Sequence, residues 1–388
     1  MKEFQFYNPV KIYFGVGAIE NLKQELPGMG QKILLTYGGG SIQRNGIYDT
    51  IVRLLTDAGK KVYELPGIMA NPRTTKVDEG VRICREKGID FILAAGGGSV
   101  IDCSKAIATV TKLPEGYDYW ENLFVRKEKT EEAIPLGGVL TIPATGSEMN
   151  MDCVITNWEK QLKYSYSSVH QYPKFSILDP EYTYTLPKEQ MLYGAVDTLS
   201  HIFEIYFSTP DESNVSDDVA EALIKNVIEN LNGALKNPQD AVARSNLMWD
   251  STMALNGIIE VGKDEDWMAH KIEHALSAFY DIPHGAGLAV CQVPYLDYIC
   301  EEAPEKFARY AVRIMGCDPI GKTDIELAHE GLAKTKEYFR RIGAPVTLQE
   351  VGIPEKAIPA IAAKTLLIPG SYKRLQTEDV EEILRNCR

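Results

Sequence analysis

The chain has 388 residues, 24% of them charged and 45% hydrophobic, which is enough for two globular domains that each bury a core. The formal net charge of −13 leaves no basic excess to neutralise phosphates, so the composition argues against a nucleic-acid-binding protein. Seven scattered cysteines without a C-x-x-C motif, no apolar secretion signal and no apolar run of membrane length predict a cytoplasmic protein with no membrane partner.

The first half of the chain alternates short apolar runs with stretches long enough for helices. The runs that have the length and composition of buried strands are residues 33–37, 61–65, 91–95, 139–142 and 175–178. Intervening segments such as 47–58 and 74–87 are long enough for crossover helices. Because crossover helices join parallel strands, this alternation predicts a doubly wound α/β domain with a parallel sheet over residues 1–186.

Helical periodicity replaces the strand pattern after Leu186-Pro187. The segments with the clearest helical spacing are residues 217–235, 240–256, 324–342 and 377–385. We therefore predict a second, all-helical domain over residues 187–388.

A glycine-rich loop, Gly38-Gly39-Gly40-Ser41, follows the first predicted strand. Nicotinamide-binding domains commonly carry an acidic residue near a strand end, where it binds the adenosine ribose. A carboxylate would repel a 2′-phosphate, whereas backbone N–H groups, a hydroxyl and the nearby Arg44 would attract one. This loop therefore favours NADP over NAD.

Two further loops follow later strands. Gly96-Gly97-Gly98-Ser99 leads into a predicted helix that carries Asp102, a pattern that fits a diphosphate cradle at a helix N-terminus. The alternative is a tight strand-to-helix turn without a ligand. The loop 141–148 supplies the hydroxyls of Thr145 and Ser147 at the carboxyl end of the sheet, where they either contact a ligand or cap a helix.

Histidines cluster in the second half of the chain. His270 and His274 are four residues apart, so on a helix they share one face, and His284 follows an Ile-Pro pair that should end that helix. Asp197 and His201 have the same spacing of four. Imidazoles and a carboxylate gathered in this way predict a site for a divalent metal of the zinc or ferrous type. The spacing leaves open which of the histidines are ligands, and whether any are.

Taken together, these residues resemble the iron-containing (group III) alcohol dehydrogenase family, and within it the branch of NADP(H)-dependent butanol dehydrogenases and broad-range aldehyde reductases. The resemblance covers almost the whole chain. The matching motifs are Tyr7-Asn8-Pro9, Phe14-Gly15-Val16-Gly17, Gly38–Ser41, Asn71-Pro72, Gly96–Ser99 with Asp102, Pro143–Glu148, Asp179-Pro180, Asp197 with His201, and residues 270–284.

The resemblance implies roles for individual residues. Asp197, His201, His270 and His284 match the metal ligands of the family, whereas His274 matches a histidine near the nicotinamide and is implied as a catalytic residue. The positions that match cofactor contacts of the family are Gly38, Gly39, Ser41, Asn71, Gly97, Gly98, Ser99, Asp102, Thr141, Thr145, Ser147, Lys163 and Tyr182.

The implied activity is hydride transfer between NADP(H) and a small primary alcohol or aldehyde of the butanol and butyraldehyde type, in a cleft between the two domains of a homodimer. The resemblance to this family favours Fe²⁺. Zn²⁺ is the alternative, because three imidazoles and one carboxylate suit both ions. Other interpretations are a polyol-phosphate dehydrogenase or dehydroquinate-synthase-like enzyme of the same fold, a metallohydrolase, and a non-catalytic nucleotide sensor.

Overall fold

The computed structural model describes residues 1–212 and 214–388, which form two compact units. One unit is Tyr7–Pro187 and the other is Lys188–Arg388 together with Met1–Phe6. The sequence pattern assigns residues 1–6 to the α/β domain, but the structure places them on the helical unit. There the backbone N–H of Lys2 donates to the carbonyl of Gly262 at 3.1 Å, and the amino group of Met1 pairs with Glu212.

The unit Tyr7–Pro187 contains a six-stranded parallel sheet, which confirms the predicted α/β fold class. Its elements are β1 Lys11–Phe14, α1 Leu22–Glu25, β2 Lys32–Tyr37, α2 Ser41–Arg44, α3 Ile47–Asp57, β3 Lys61–Leu65, α4 Thr74–Lys87, β4 Phe91–Gly97, α5 Gly98–Thr111, β5 Leu136–Ile142, β6 Asp152–Asn157, β7 Leu162–Ser167 and β8 Phe175–Leu178. The hairpin of β6 and β7 is antiparallel and was not predicted. Its signal is weak: Cys153 and Ile155 are buried on either side of the more exposed Val154, but the next residue, Thr156, is buried as well.

Helices cover both faces of the sheet, as a doubly wound fold requires. On one face Ile33 and Leu35 of β2 pack in the same apolar cluster as Ile51 and Leu54 of α3. On the other face the hydroxyl of Thr36 lies 2.7 Å from that of Ser104 in α5. Successive side chains of a strand point to opposite faces, so the almost unbroken apolar run of β2 follows from burial on both sides.

The strand order is β1-β8-β5-β4-β2-β3, and it creates a switch point next to β2. From β2 the chain passes to β3 on one side and then returns to β4 on the other side. In open parallel sheets the connections diverge at such a point and leave a crevice at the carboxyl ends of the strands. Both predicted glycine loops begin here, because Tyr37 of β2 is paired with Ala95 of β4.

The unit that contains Lys188–Arg388 is helical. Its helices are α6 Lys188–Tyr206, α7 Val215–Lys236, α8 Ala241–Met253, α9 Met268–Tyr280, α10 His284–Ile299, α11 Pro304–Arg313, α12 Asp324–Ile342, α13 Ile358–Lys364 and α14 Thr377–Arg385. α12 matches its predicted range because a capping box of Thr323 and Glu326 starts it and Gly343, in a left-handed conformation, ends it. None of the helices in the described residues is long and apolar enough to cross a membrane.

Candidate functional site

Three helices of the helical unit bring four of the predicted metal ligands together. Asp197 and His201 lie one turn apart on α6, His270 lies on α9, and His284 is the first residue of α10. One carboxylate oxygen of Asp197 lies 3.5 Å from Nε2 of His201, 3.8 Å from Nε2 of His270 and 3.4 Å from Nε2 of His284. In a tetrahedral site with bonds of about 2.0–2.2 Å, ligand atoms lie about 3.3–3.6 Å apart. The four side chains therefore surround a space that fits a divalent ion.

The hydrogen bonding of these atoms supports the same interpretation. Oδ1 of Asp197 and Nε2 of His270 are buried and have no hydrogen-bond partner among the described residues. Buried polar atoms without partners are costly, so each such atom calls for an explanation. A cation held between them would satisfy both.

Two carboxylates that the sequence reasoning missed orient the histidines. Oε1 of Glu204 accepts a hydrogen bond from the backbone N–H of His270 at 2.9 Å and lies 3.2 Å from its Nδ1. A short hydrogen bond joins Nδ1 of His284 to Glu273. With Nδ1 donating to a carboxylate, Nε2 keeps its lone pair for a metal. The available signal is spacing, because Glu204 lies three residues after His201 and Glu273 three after His270.

The ionisation of the cluster depends on its mutual contacts. Burial raises the pKa of Asp197, but electrostatic interactions with the surrounding imidazoles outweigh this effect and hold that pKa well below its usual range. Burial lowers the pKa of His201 to about 3, so this imidazole is neutral. Burial also lowers the pKa of His270, but the nearby carboxylates of Asp197 and Glu204 raise it to about 9. The charge of Asp197 thus attracts a cation, and in its absence a proton.

His274 lies beside the cluster on α9, and it is buried. Its ring centroid is 6.4 Å from that of His270 and 5.7 Å from that of His284. Its ligand atom also lies within 4.8 Å of Glu273 and His284, so the geometry permits either a ligand role or a neighbouring one. Trp267 adds an apolar wall, with its ring centroid 5.2 Å from that of His270.

The first glycine loop has room beside it. A Cβ atom on Gly39 would meet no described atom within 4 Å, whereas one on Gly38 would lie 3.2 Å from the carbonyl oxygen of Ile68. Gly40 has φ +94°, a left-handed conformation that favours glycine, and Ser41 begins α2. Nη1 of Arg44 lies 3.7 Å from the position that a Cβ atom of Gly40 would take. A guanidinium therefore borders this loop.

The glycines of the second loop are required by the packing of the protein itself. A Cβ atom on Gly96 would lie 2.5 Å from Val100, one on Gly97 would lie 3.0 Å from Ile142, and one on Gly98 would collide with Thr145. No side chain of the described residues caps α5, which starts at Gly98, so its first N–H groups remain available to an anion. The tight turn and the anion site are thus compatible.

Asp102 holds the third loop in place. One of its carboxylate oxygens accepts a hydrogen bond from the hydroxyl of Ser147 at 2.6 Å, and the other accepts one from the backbone N–H of Val154 at 2.9 Å. The hydroxyl of Thr145 accepts a hydrogen bond from the backbone N–H of Ser147 at 3.2 Å. The side chain of Thr145 also lies against Gly98, so it packs the third loop against the second.

The remaining predicted cofactor residues all lie in the α/β unit. Ser99 is in the first turn of α5, and Thr141 is buried near the end of β5, next to β4. Asn71 is buried with φ +49° in the segment after β3, Lys163 is buried on β7, and Tyr182 packs against the apolar cluster that contains α3. The loops after β2, β4 and β5 thus share one edge of the sheet. Lys163 and Tyr182 are not in these loops, so the strand order alone does not place them at this edge.

Known proteins match the chain over nearly its full length. Residues 9–180 match the iron-containing alcohol dehydrogenase family, and residues 191–387 match the C-terminal domain of the same family. The chain belongs to the iron-containing alcohol dehydrogenase family. This membership confirms the resemblance seen in the sequence and the coarser part of the predicted function, an oxidoreductase of the alcohol dehydrogenase class.

Individual members of the family differ in their coenzyme. The chain is 43% identical to the probable NADH-dependent butanol dehydrogenase 1 of Bacillus subtilis, over 99% of each chain. It is 36% identical to the NADPH-dependent aldehyde reductase YqhD of Escherichia coli, over 94% of this chain and 93% of that one. A solved structure of NADH-dependent butanol dehydrogenase A from Thermotoga maritima superposes with a TM-score of 0.94 and 42% identity, over 99% of this chain and 98% of that one.

Proposed function

We propose that the protein transfers hydride between NADP(H) and a small primary alcohol or aldehyde, with a metal held by Asp197, His201, His270 and His284. The observation that carries this proposal is the convergence of three Nε2 atoms on one oxygen of Asp197, at 3.4–3.8 Å. When bound, a divalent ion there supplies Lewis-acid polarisation of the substrate oxygen, and the nicotinamide supplies or accepts the hydride. We infer Fe²⁺, with Zn²⁺ as the alternative.

The residues of the chain divide the remaining work. Glu204 and Glu273 keep the imidazoles in the tautomer that binds a cation. The N-terminus of α5 holds the diphosphate of the coenzyme. We propose that His274 either passes a proton between the substrate oxygen and solvent or orients the substrate. Replacement by glutamine would then slow turnover by about 10²-fold and leave the metal content unchanged.

We propose NADP as the preferred coenzyme, although relatives of both preferences are similar to this chain. The support comes from the chain itself, because the loop Gly38–Ser41 carries no carboxylate and Arg44 borders it. The deciding measurement is the ratio of kcat/KM for NADPH to that for NADH in the wild type and in Gly39→Asp. Aspartate at this open position should repel a 2′-phosphate and shift the ratio towards NADH by roughly 10-fold or more. A wild type that prefers NADH would refute the proposal.

The substrate class is tested by oxidation of NADPH with aldehydes of increasing chain length, after metal removal and separate restoration of Fe²⁺ and Zn²⁺. We expect turnover with short-chain aldehydes that returns with one of the two ions. NADPH binding without metal-dependent turnover would favour a nucleotide sensor, and absence of NADPH binding would favour a metallohydrolase.

We also propose a cytoplasmic homodimer. All seven cysteines are buried thiols, as a reducing compartment favours. β1 is an edge strand of the sheet, and Phe14 and Val16 at its end are 43% and 70% exposed. Unpaired strand edges and exposed apolar side chains favour association. Sedimentation equilibrium gives the oligomeric state, and a monomer at micromolar concentration would contradict this part of the proposal.

A further inference from the structure

A second group of metal-ligating side chains lies at the opposite end of α10 from His284. Asp297 is in the last turn of α10, Cys300 follows its end, and His329 lies on α12. Nδ1 of His329 lies 2.7 Å from Oδ1 of Asp297 and 3.9 Å from the sulfur of Cys300. The three ligand atoms all lie within 4.8 Å of one another. Because an α-helix rises about 1.5 Å per residue, this group is roughly 20 Å from His284.

The donor set is one that zinc prefers. Zn²⁺ binds cysteine sulfur at about 2.3 Å, histidine nitrogen at about 2.0 Å and carboxylate oxygen at about 2.0–2.2 Å. Tetrahedral coordination therefore separates sulfur from nitrogen by about 3.5 Å and nitrogen from oxygen by about 3.4 Å. The observed 3.9 Å and 2.7 Å lie on either side of these values, so rotations of exposed side chains suffice to reach them.

Burial and exposure are arranged as such a site needs. Cys300 is fully buried, whereas the side chains of Asp297 and His329 are 53% and 45% exposed. The thiol is thus protected on the protein side, and the open side faces solvent, from which an ion and a completing water can enter. Without an ion, Asp297 and His329 form a surface ion pair, and the thiol of Cys300 donates a hydrogen bond to the backbone carbonyl of Asp297 at 3.2 Å. Neither interaction requires a sulfur atom beside the imidazole, which a zinc site does require.

We propose that Asp297, Cys300 and His329 form a second zinc site that ties the end of α10 to α12. The site is independent of the centre at Asp197, which contains no sulfur. Binding forms a bond between zinc and the sulfur of Cys300, and the thiol proton leaves to solvent. Nδ1 of His329 releases to solvent the proton that it donates to Asp297 and becomes a ligand, while Nε2 keeps the ring proton of the neutral imidazole.

Sulfur provides a signal that distinguishes the two centres. Metal-free protein is titrated with Co²⁺, which takes the place of zinc, and the near-ultraviolet charge-transfer absorption of a cobalt–thiolate bond is followed. Zn²⁺ is then added to displace the cobalt. The variants are Cys300→Ser and His329→Gln, of which the second changes an exposed side chain and should not disturb folding. His170→Gln, at an exposed histidine of the α/β unit, is the matched control.

We expect the wild type and His170→Gln to bind two equivalents of Co²⁺, one of which gives the thiolate band, and we expect the band to disappear on addition of Zn²⁺. Cys300→Ser should lose the band and one equivalent of bound metal, and His329→Gln should need a higher concentration of Co²⁺ to reach it. Absence of the band in the wild type at saturating Co²⁺ would overturn the proposal. So would a band that persists in Cys300→Ser or an unchanged titration of His329→Gln.

Discussion

The centre around Asp197 is built from side chains, whereas the glycine loops of the α/β unit are built from the backbone. At the centre, side chains from three helices converge, and their charges and tautomers are set by further side chains such as Glu204 and Glu273. At the loops, the backbone itself forms the surface, and the absence of side chains is the requirement. Chemistry at the first site should therefore respond to the loss of a functional group, and the second site should respond to added volume.

The largest effect is expected from Asp197→Ala. Removal of the only carboxylate among the four converging ligands should abolish tight metal binding and reduce kcat/KM by at least about a thousandfold, because Lewis-acid catalysis contributes several kcal/mol. Metal analysis and steady-state kinetics measure both quantities. Asp57→Asn, at an exposed position on α3, is the control and should behave as the wild type. Full turnover of Asp197→Ala without metal would show that the side chains of this centre do not act by holding a metal.

A buried carboxylate outside the histidine cluster provides a contrast within the helical unit. Burial raises the pKa of Asp250 on α8 to about 7, above its ordinary value of 3.8. Between these values the folded protein binds more protons than the unfolded chain, so stability falls as pH rises from about 4 to 7. Asp250→Asn should remove this loss, which amounts to at most about 4 kcal/mol above pH 7. Urea denaturation at pH 5 and pH 8 measures it, and an unchanged pH dependence would contradict the assignment.

The effect of Glu273→Gln should be intermediate. The neutral amide no longer holds the proton on Nδ1 of His284 as a carboxylate does, so we expect metal affinity to fall by about 10–100-fold. Turnover at saturating metal should change much less. Competition with a chromophoric chelator gives the affinity, and a wild-type value would mean that Glu273 only fills space.

The smallest effect is expected at the loops, where two glycines form a matched pair. A methyl group on Gly98 would collide with Thr145, whereas one on Gly39 would meet no described atom within 4 Å. Gly98→Ala should lower the free energy of unfolding by about 1–3 kcal/mol. Gly39→Ala should leave it within about 0.5 kcal/mol of the wild type. Equal values for the two variants would show that the loop adapts freely.

The same contrast between side-chain centre and backbone loops explains which features of the two sites can be predicted from the sequence. The spacing of four between Asp197 and His201, and between His270 and His274, is sufficient to predict that each pair shares a helix face. Spacing does not select among His270, His274 and His284, since all three are compatible with one helix and a turn. The glycines 96–98 indicate that other atoms approach the backbone closely. Only the structure shows that these atoms belong to Val100, Ile142 and Thr145. The antiparallel hairpin β6–β7 escapes prediction because the apolar alternation of its strands is weak.

The sequence by itself determined the α/β and helical halves, the strand-to-helix loops and the identities of the candidate ligands, because these depend on local periodicity and residue chemistry. Tertiary structure alone decided that His201, His270 and His284 all face one oxygen of Asp197, that Glu204 and Glu273 orient two of them, and that Cys300 lies beside His329. The physical reason is that all of these contacts except Asp197–His201 join different helices, whose relative positions are fixed by core packing. No local pattern in the chain records those positions.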